Sequence, residues 1–99
     1  MRVVRAMRMK LQKGDHVQVL AHWNWPQLCT GRIATPPGVP GDLEGRVRWL
    51  DCRRVVHGRK GPIELYWVSF DQPQMDGDGD GPYLGGEVET KYLRRFESG

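Results

Sequence analysis

Alternating aspartate and glycine residues in the C-terminal half carry the clearest chemical pattern of the sequence. Asp76, Asp78 and Asp80 alternate with glycine, and Glu87 stands at the twelfth position counted from Asp76. Carboxylates at these positions, with glycine at the sixth, have the ligand spacing of a calcium-binding loop of the EF-hand type. Calcium binding by Asp76, Asp78, Asp80 and Glu87 is therefore one hypothesis for this chain, and no other cofactor is expected.

The segments on either side of this loop favour strands, whereas an EF-hand loop needs a flanking helix on each side. The run 64–70, ELYWVSF, is rich in aromatic and β-forming residues, and Pro73 prevents a helix from extending back from the loop. Gly85 and Gly86 weaken a helix around Glu87. The alternative interpretation is a polar loop in which aspartate side chains cap backbone amides and glycine supplies the turns.

A basic cluster around one predicted hairpin suggests a second kind of site, in which cations contact phosphate and an aromatic ring stacks on a base. Its members are Arg53, Arg54, Arg59, Lys60 and Tyr66. The formal net charge of the chain is only +3, and acidic residues lie among the same segments. Binding of RNA or DNA is thus an alternative function rather than the first choice.

Residues that could support catalysis are scattered. His16, His22 and His57 have no spacing that implies a shared metal, and Cys29 and Cys52 form no C-x-x-C pair. A nucleophile would need a neighbouring base that the sequence does not supply. We therefore expect free, partly buried thiols and no enzymatic activity.

Length and composition predict a single β-rich domain. The chain has 99 residues, and its 13 glycines and 7 prolines separate many short apolar runs. No run approaches the roughly 18 apolar residues of a membrane span, and arginines interrupt the only candidate for a secretory segment. These features indicate a cytoplasmic protein with no membrane contact. We expect residues 1–12 to form a basic N-terminal arm or an edge strand.

Alternation of apolar and polar residues predicts the strands. We expect strands over 16–21, 30–35, 64–70 and 87–89, and a short helical turn over 90–93. The segment 53–57 either continues a strand from 46–50 or forms its own, and a turn over 57–62 closes a hairpin onto 64–70. Both faces of 64–70 are apolar, which is typical of a central strand covered on two sides.

Four motifs in sequence order carry a resemblance to a known family. They are GDHVQV at 14–19, TGRI at 30–33, LYWVSF at 65–70 and GEVETKYL at 86–93. In this order the chain resembles an SH3-like barrel of the electron-transport accessory group, which includes the nitrile hydratase β subunit, the ferredoxin-thioredoxin reductase variable chain and a photosystem I peripheral subunit. The resemblance implies an all-β barrel of about five strands with long loops over residues 13–97, and a non-catalytic accessory module that docks onto another protein. The first motif is also shared with KOW modules, which keeps the nucleic-acid alternative open.

Candidate partner-binding residues lie in two loops that interrupt the predicted strands. Exposed aromatic and apolar loop residues are the types that anchor protein interfaces. The candidates are Trp23, Trp25 and Pro26 in the first loop and Pro37 and Val39 in the second. Their alternative role is local packing over the end of a small barrel.

Overall fold

The computed structural model describes residues 11–37 and 49–95. These residues form six strands in one antiparallel sheet and a single turn of 3-10 helix. The strands are β1 (His16–Val19), β2 (Thr30–Ile33), β3 (Arg53–Gly58), β4 (Gly61–Gln74), β5 (Tyr83–Glu89) and β6 (Leu93–Arg95), and the 3-10 turn spans Thr90–Tyr92. The predicted all-β class with one short helical turn near the C-terminus is confirmed.

Strand β4 is the common neighbour of three other strands. Its residue Tyr66 lies opposite Arg53 of β3 on one edge and opposite Val88 of β5 on the other. Further along, Phe70 lies opposite Gly31 of β2. One edge of β4 therefore pairs first with β3 and then with β2, while the other pairs with β5. The sheet continues from β2 to β1 and then to β6.

Alternate residues of the strands build the core on one side of this curved sheet. Val17 and Val19 of β1 are fully buried, as are Val68 of β4 and Val88 of β5, because successive side chains of a strand point to opposite faces. Among the described residues, the core cluster consists of Leu11, Val17, Val19, Trp25, Ile33, Cys52, Tyr66, Val68, Phe70, Val88 and Leu93. Leu11 shows that the core includes part of the segment predicted as an N-terminal arm. The rest of that arm, residues 1–10, lies outside the described residues.

The strand boundaries differ from the predicted ones most at β4 and β5. β4 extends through Pro73, whose missing N–H is tolerated because the pairing register shifts between Ser69 and Gln74. β5 begins at Tyr83 rather than at 87. The segment 53–58 is a strand of its own, because Leu50 and Arg53 bond to each other across a tight turn in which Asp51 has a φ of 61°.

Other predictions have mixed outcomes. The hairpin turn before β4 is confirmed, with Gly58 paired to Gly61 across Arg59 and Lys60. The predicted strand over 46–50 falls mostly outside the described residues. Among residues 11–37 and 49–95, no helix is long and apolar enough to cross a membrane.

A polar cluster joins the end of β4 to the β1–β2 hairpin. Asp71 Oδ2 accepts hydrogen bonds from Thr30 Oγ1 at 2.6 Å and from His16 Nε2 at 2.7 Å. The Thr30 hydroxyl and then His16 hold the pKa of the Asp71 carboxyl below its ordinary value. The ionised carboxylate is therefore the form that the folded state prefers.

We expect this cluster to add a pH-dependent contribution to stability. The unfolded chain binds a proton at Asp71 near pH 4, above the folded-state pKa, so the contribution is complete above about pH 5 and is lost as pH falls through the folded pKa. Urea unfolding of the native protein and of Asp71→Asn, compared between about pH 6 and pH 2, should show a stability difference that shrinks toward low pH. A difference that does not change with pH would contradict this assignment.

Candidate functional site: an aromatic groove beside strand β5

An open groove lies where the β1–β2 loop meets strands β4 and β5. Its volume is about 510 Å³, which is within the range of ligand-binding clefts. We call it the aromatic groove, because three indoles and a phenol line it. The lining residues are His22, Trp23, Asn24, Trp25, Leu65, Trp67, Asp76, Tyr83, Gly85, Gly86, Glu87 and Glu89.

The two tryptophans of the β1–β2 loop have different environments. Trp25 is 8% exposed, packs against Phe70 and Tyr83 at ring-centroid distances of 5.0 Å and 5.8 Å, and donates its indole N–H to Glu87 O at 3.1 Å. Trp23 is 79% exposed and stacks on His22 at 5.4 Å. Trp25 therefore belongs to the core and to the groove wall, whereas Trp23 stands at the groove rim.

Two adjacent glycines of β5 allow the indoles to lie directly against the strand. A Cβ atom on Gly86 would overlap the Trp25 ring, and one on Gly85 would lie 2.9 Å from Trp67 Nε1. Gly85 and Gly86 pair with Ser69 and Val68 of β4, so the strand is regular at this point. The two indoles thus cover β5 at these glycines.

The polar lining of the groove is acidic. Asp76, Glu87 and Glu89 contribute carboxylates, and His22 is the remaining ionisable group with a nitrogen base. Burial lowers the pKa of His22, and the charge of Glu89 opposes this only in part. His22 Nδ1 accepts the Asn24 backbone N–H at 3.1 Å. The imidazole is therefore neutral at pH 7 with its proton on Nε2.

The Asp/Gly loop is ordered by its first aspartate. Asp76 Oδ1 accepts the backbone N–H groups of Asp78 and Asp80, each at 2.9 Å. The Gly77 N–H donates to Asn24 Oδ1 at 3.1 Å, which ties this loop to the β1–β2 loop. Asp76 therefore caps backbone amides of the loop, as the alternative interpretation of this segment predicted.

The four predicted calcium ligands do not all come together. Asp76, Asp78 and Asp80 place carboxylate oxygens within 4.8 Å of one another, a cluster that does not include Glu87. Glu87 lies on β5 and accepts two hydrogen bonds from Arg54, at 2.9 Å and 3.2 Å. The loop is also flanked by strands, β4 ending at Gln74 and β5 beginning at Tyr83. Calcium binding stays a prediction, and it has three converging carboxylates rather than four.

The basic cluster predicted for nucleic acid is largely engaged within the chain. Arg53 pairs with Glu64 at 2.7 Å, and Arg54 pairs with Glu87. Tyr66 is 3% exposed, so its ring offers no face to a base. Arg59 and Lys60 are exposed in the β3–β4 turn.

The other predicted residues that the structure describes do not line the groove. Pro26 and Pro37 are exposed, and Val39 lies outside the described residues. Cys29 is half-buried and Cys52 is buried; both are free thiols whose pKa is raised by burial. A raised pKa lowers the thiolate fraction, which is the opposite of what a nucleophilic cysteine requires.

Comparison with known proteins identified no relative of this chain. No family model, no curated protein and no solved structure matches the chain. The groove therefore has to be interpreted from its own chemistry.

Proposed function

We propose that this chain is a non-catalytic protein-interaction module that binds a partner in the aromatic groove. The observation that carries the proposal is the exposure of Trp23 at 79% beside Tyr83 at 41%, at the rim of a groove walled by two further indoles. Tryptophan and tyrosine are the residues that most often dominate binding energy at protein interfaces. Leaving such rings in water has no structural benefit, whereas a partner would bury them.

The chemistry of the groove supports binding rather than catalysis. Its lining, as far as the chain is described, contains carboxylates and one neutral histidine but no serine, threonine, cysteine or lysine. The hydroxyl, thiol and amine nucleophiles that an adjacent base commonly activates are therefore not part of this lining. The two cysteines lie elsewhere and have raised pKa values.

The resemblance to the electron-transport accessory barrels agrees with this proposal. The motifs that carry it fall on β1, β2, β4 and β5 with the 3-10 turn. Barrels of that group are accessory subunits that pack against a partner. We extend the same role to this chain, and a cytoplasmic location goes with it as a prediction.

Nucleic-acid binding has less support. Two of its four predicted cations are paired with carboxylates, and the predicted stacking ring of Tyr66 is in the core. Binding would rest on Arg59 and Lys60 and on the basic residues of 1–10. A KOW-like role is therefore the less supported alternative, because the described residues leave only Arg59 and Lys60 of the predicted cluster to contact a nucleic acid.

The proposal is tested by the dependence of a partner on Trp23. Affinity purification from the source cells, followed by reconstitution with the purified candidate, should give a partner that Trp23→Ala binds at least about 30-fold more weakly, a loss of about 2 kcal/mol. Leu50→Ala removes a side chain that is 61% exposed and does not line the groove, so it should bind like the native protein. A partner that binds both variants and the native protein equally would show that the groove is not the docking surface.

A further inference from the structure

The aromatic groove combines two features that together select a type of side chain. Its walls are the indoles of Trp25 and Trp67, and its polar lining consists of the carboxylates of Asp76, Glu87 and Glu89. We propose that the groove receives a basic side chain, arginine in preference to lysine, presented by a segment of the partner protein. This inference rests on the proposed function and specifies its ligand.

Electrostatics favours a cationic occupant. The lining has three carboxylates and, in the part of the chain that is described, no cation of its own, although the chain carries a formal net charge of +3. Arg54 neutralises Glu87 at 2.9 Å, and Lys91 approaches Glu89 only at 3.8 Å with its side chain 66% exposed. Asp76 is held in place by the amides that it caps. The groove therefore keeps negative charge, at least at Asp76 and in part at Glu89.

The indoles favour a cation for a separate reason. The face of an indole ring is the negative end of its quadrupole, and a guanidinium or ammonium group over that face is attracted to it. Gly85 and Gly86 bring the Trp67 and Trp25 rings close to the strand without an intervening Cβ. Both rings therefore lie at the surface of the strand, where a side chain of a bound segment can contact them.

The chain already uses the same combination beside the groove. The guanidinium carbon of Arg54 lies 5.5 Å from the centroid of the Trp49 ring while its Nη2 donates to both carboxylate oxygens of Glu87. A single arginine thus satisfies an indole face and a carboxylate at once. A partner arginine in the groove would make the same two contacts with Trp67 or Trp25 and with Asp76 or Glu89.

Other occupants fit less well. A purely apolar or proline-rich segment would take water from the carboxylates of Asp76 and Glu89 without bringing a cation to them, which is costly. An acidic segment would be repelled by the same groups. Arginine is preferred over lysine because its planar guanidinium both stacks on an aromatic ring and donates in a fork that matches a carboxylate.

The test is an NMR titration read at the indole N–H signals. The chain has four tryptophans, of which Trp23, Trp25 and Trp67 line the groove and Trp49 does not. The probe is a short acetylated and amidated peptide with one central arginine between alanine, serine and glycine. Its matched controls carry citrulline, which has the same shape without charge, or glutamate at that position.

We expect the arginine peptide to shift the N–H signals of the groove indoles in a saturable way. It should bind about tenfold more tightly than the citrulline peptide, and its affinity should fall as the salt concentration is raised. The double variant Asp76→Asn with Glu89→Gln should weaken binding of the arginine peptide about fivefold or more, because it removes the two lining charges that Arg54 does not neutralise, while the asparagine amide keeps an Oδ1 acceptor for the loop. Asp51→Asn, a charge change outside the groove, should bind like the native protein.

Three results would overturn the inference: equal binding of the citrulline peptide, preferred binding of the glutamate peptide, or no saturable shift of the groove indoles with arginine. None of these affects the Trp23 test of the proposed function, because a partner lost on Trp23→Ala would still show that the groove binds protein. If the Trp23 test fails while the arginine titration succeeds, the groove binds cations but not as a docking surface.

Discussion

Replacement of Trp25 by alanine should lower the free energy of unfolding by about 3–5 kcal/mol, the usual cost of removing a buried aromatic side chain. Trp25 is 8% exposed, contacts Phe70 and Tyr83, and donates its indole N–H to the Glu87 carbonyl. The substitution leaves a cavity under the groove and removes the donor to that carbonyl. Urea denaturation monitored by circular dichroism measures the change.

The matched control is Trp23→Ala, two residues earlier in the same loop. Because Trp23 is 79% exposed, its removal should change stability by no more than about 0.5 kcal/mol. Equal destabilisation by the two substitutions would contradict the different environments of these two indoles. The comparison also validates Trp23→Ala as a binding variant, since that variant must be folded for its loss of binding to have meaning.

Replacement of Gly31 by alanine should destabilise the sheet by about 3 kcal/mol or more, at the upper end of the cost of overpacking. A Cβ on Gly31 would overlap Ser69 O and would lie 2.7 Å from Val68 Cγ1 and 2.9 Å from Phe70 Cα. Two of these atoms belong to the backbone of β4, which cannot move without disturbing its pairing with β5. Thermal and urea unfolding of the variant measure the effect.

Gly14→Ala separates steric overlap from backbone strain. Gly14 has a φ of 96°, and no atom lies within 4 Å of the position that a Cβ would take, so alanine there meets only the conformational cost, about 1–2 kcal/mol. Gly31→Ala should therefore be clearly the more destabilising of the two. If Gly14→Ala is equally destabilising, close approach of β2 to β4 is not what requires glycine at 31.

Local patterns were sufficient to predict the strands that bury one face. The alternation of Val17 and Val19 with polar neighbours places both valines in the core, and the buried face of 64–70 consists of Tyr66, Val68 and Phe70. The two-residue period of a strand separates the two faces, but it does not show which face of 64–70 is buried: both were expected to be covered, whereas Leu65 and Trp67 are half-buried and Ser69 is exposed. The local pattern is therefore sufficient for the valines of β1, whereas the choice of buried face in β4 depends on tertiary contacts.

The groove could not be predicted in the same way, because its walls come from segments far apart in sequence. Trp67 was expected to be covered as part of a central strand, but the structure packs it edge to face against Trp49 at 6.2 Å and leaves part of the ring to line the groove. The charges of Arg53 and Arg54 also gave no indication that they would pair with Glu64 and Glu87. The groove and these two ion pairs both depend on tertiary contacts, which local sequence patterns do not show.

One signal for the groove was nevertheless present in the sequence. Gly85 and Gly86 are poor strand formers, and local propensity therefore starts the last long strand at 87. The structure starts it at Tyr83, with both glycines paired to β4 and covered by indoles. Adjacent glycines inside a strand indicate that another group approaches the backbone closely. Here the approaching groups are the rings of Trp67 and Trp25.

The pairing of β1 with β6 has a consequence for the order in which the molecule can form. Val17 lies opposite Arg95 and Val19 opposite Leu93, so this ladder joins the two ends of the described sequence, whereas β1 and β2 are near neighbours along it. Contacts between distant residues carry a large loop-closure entropy, and folds rich in them are slow to form. During synthesis, one edge of β1 has to wait until residues 93–95 have left the ribosome. Until then it is an open strand edge that a chaperone or another nascent chain could pair with.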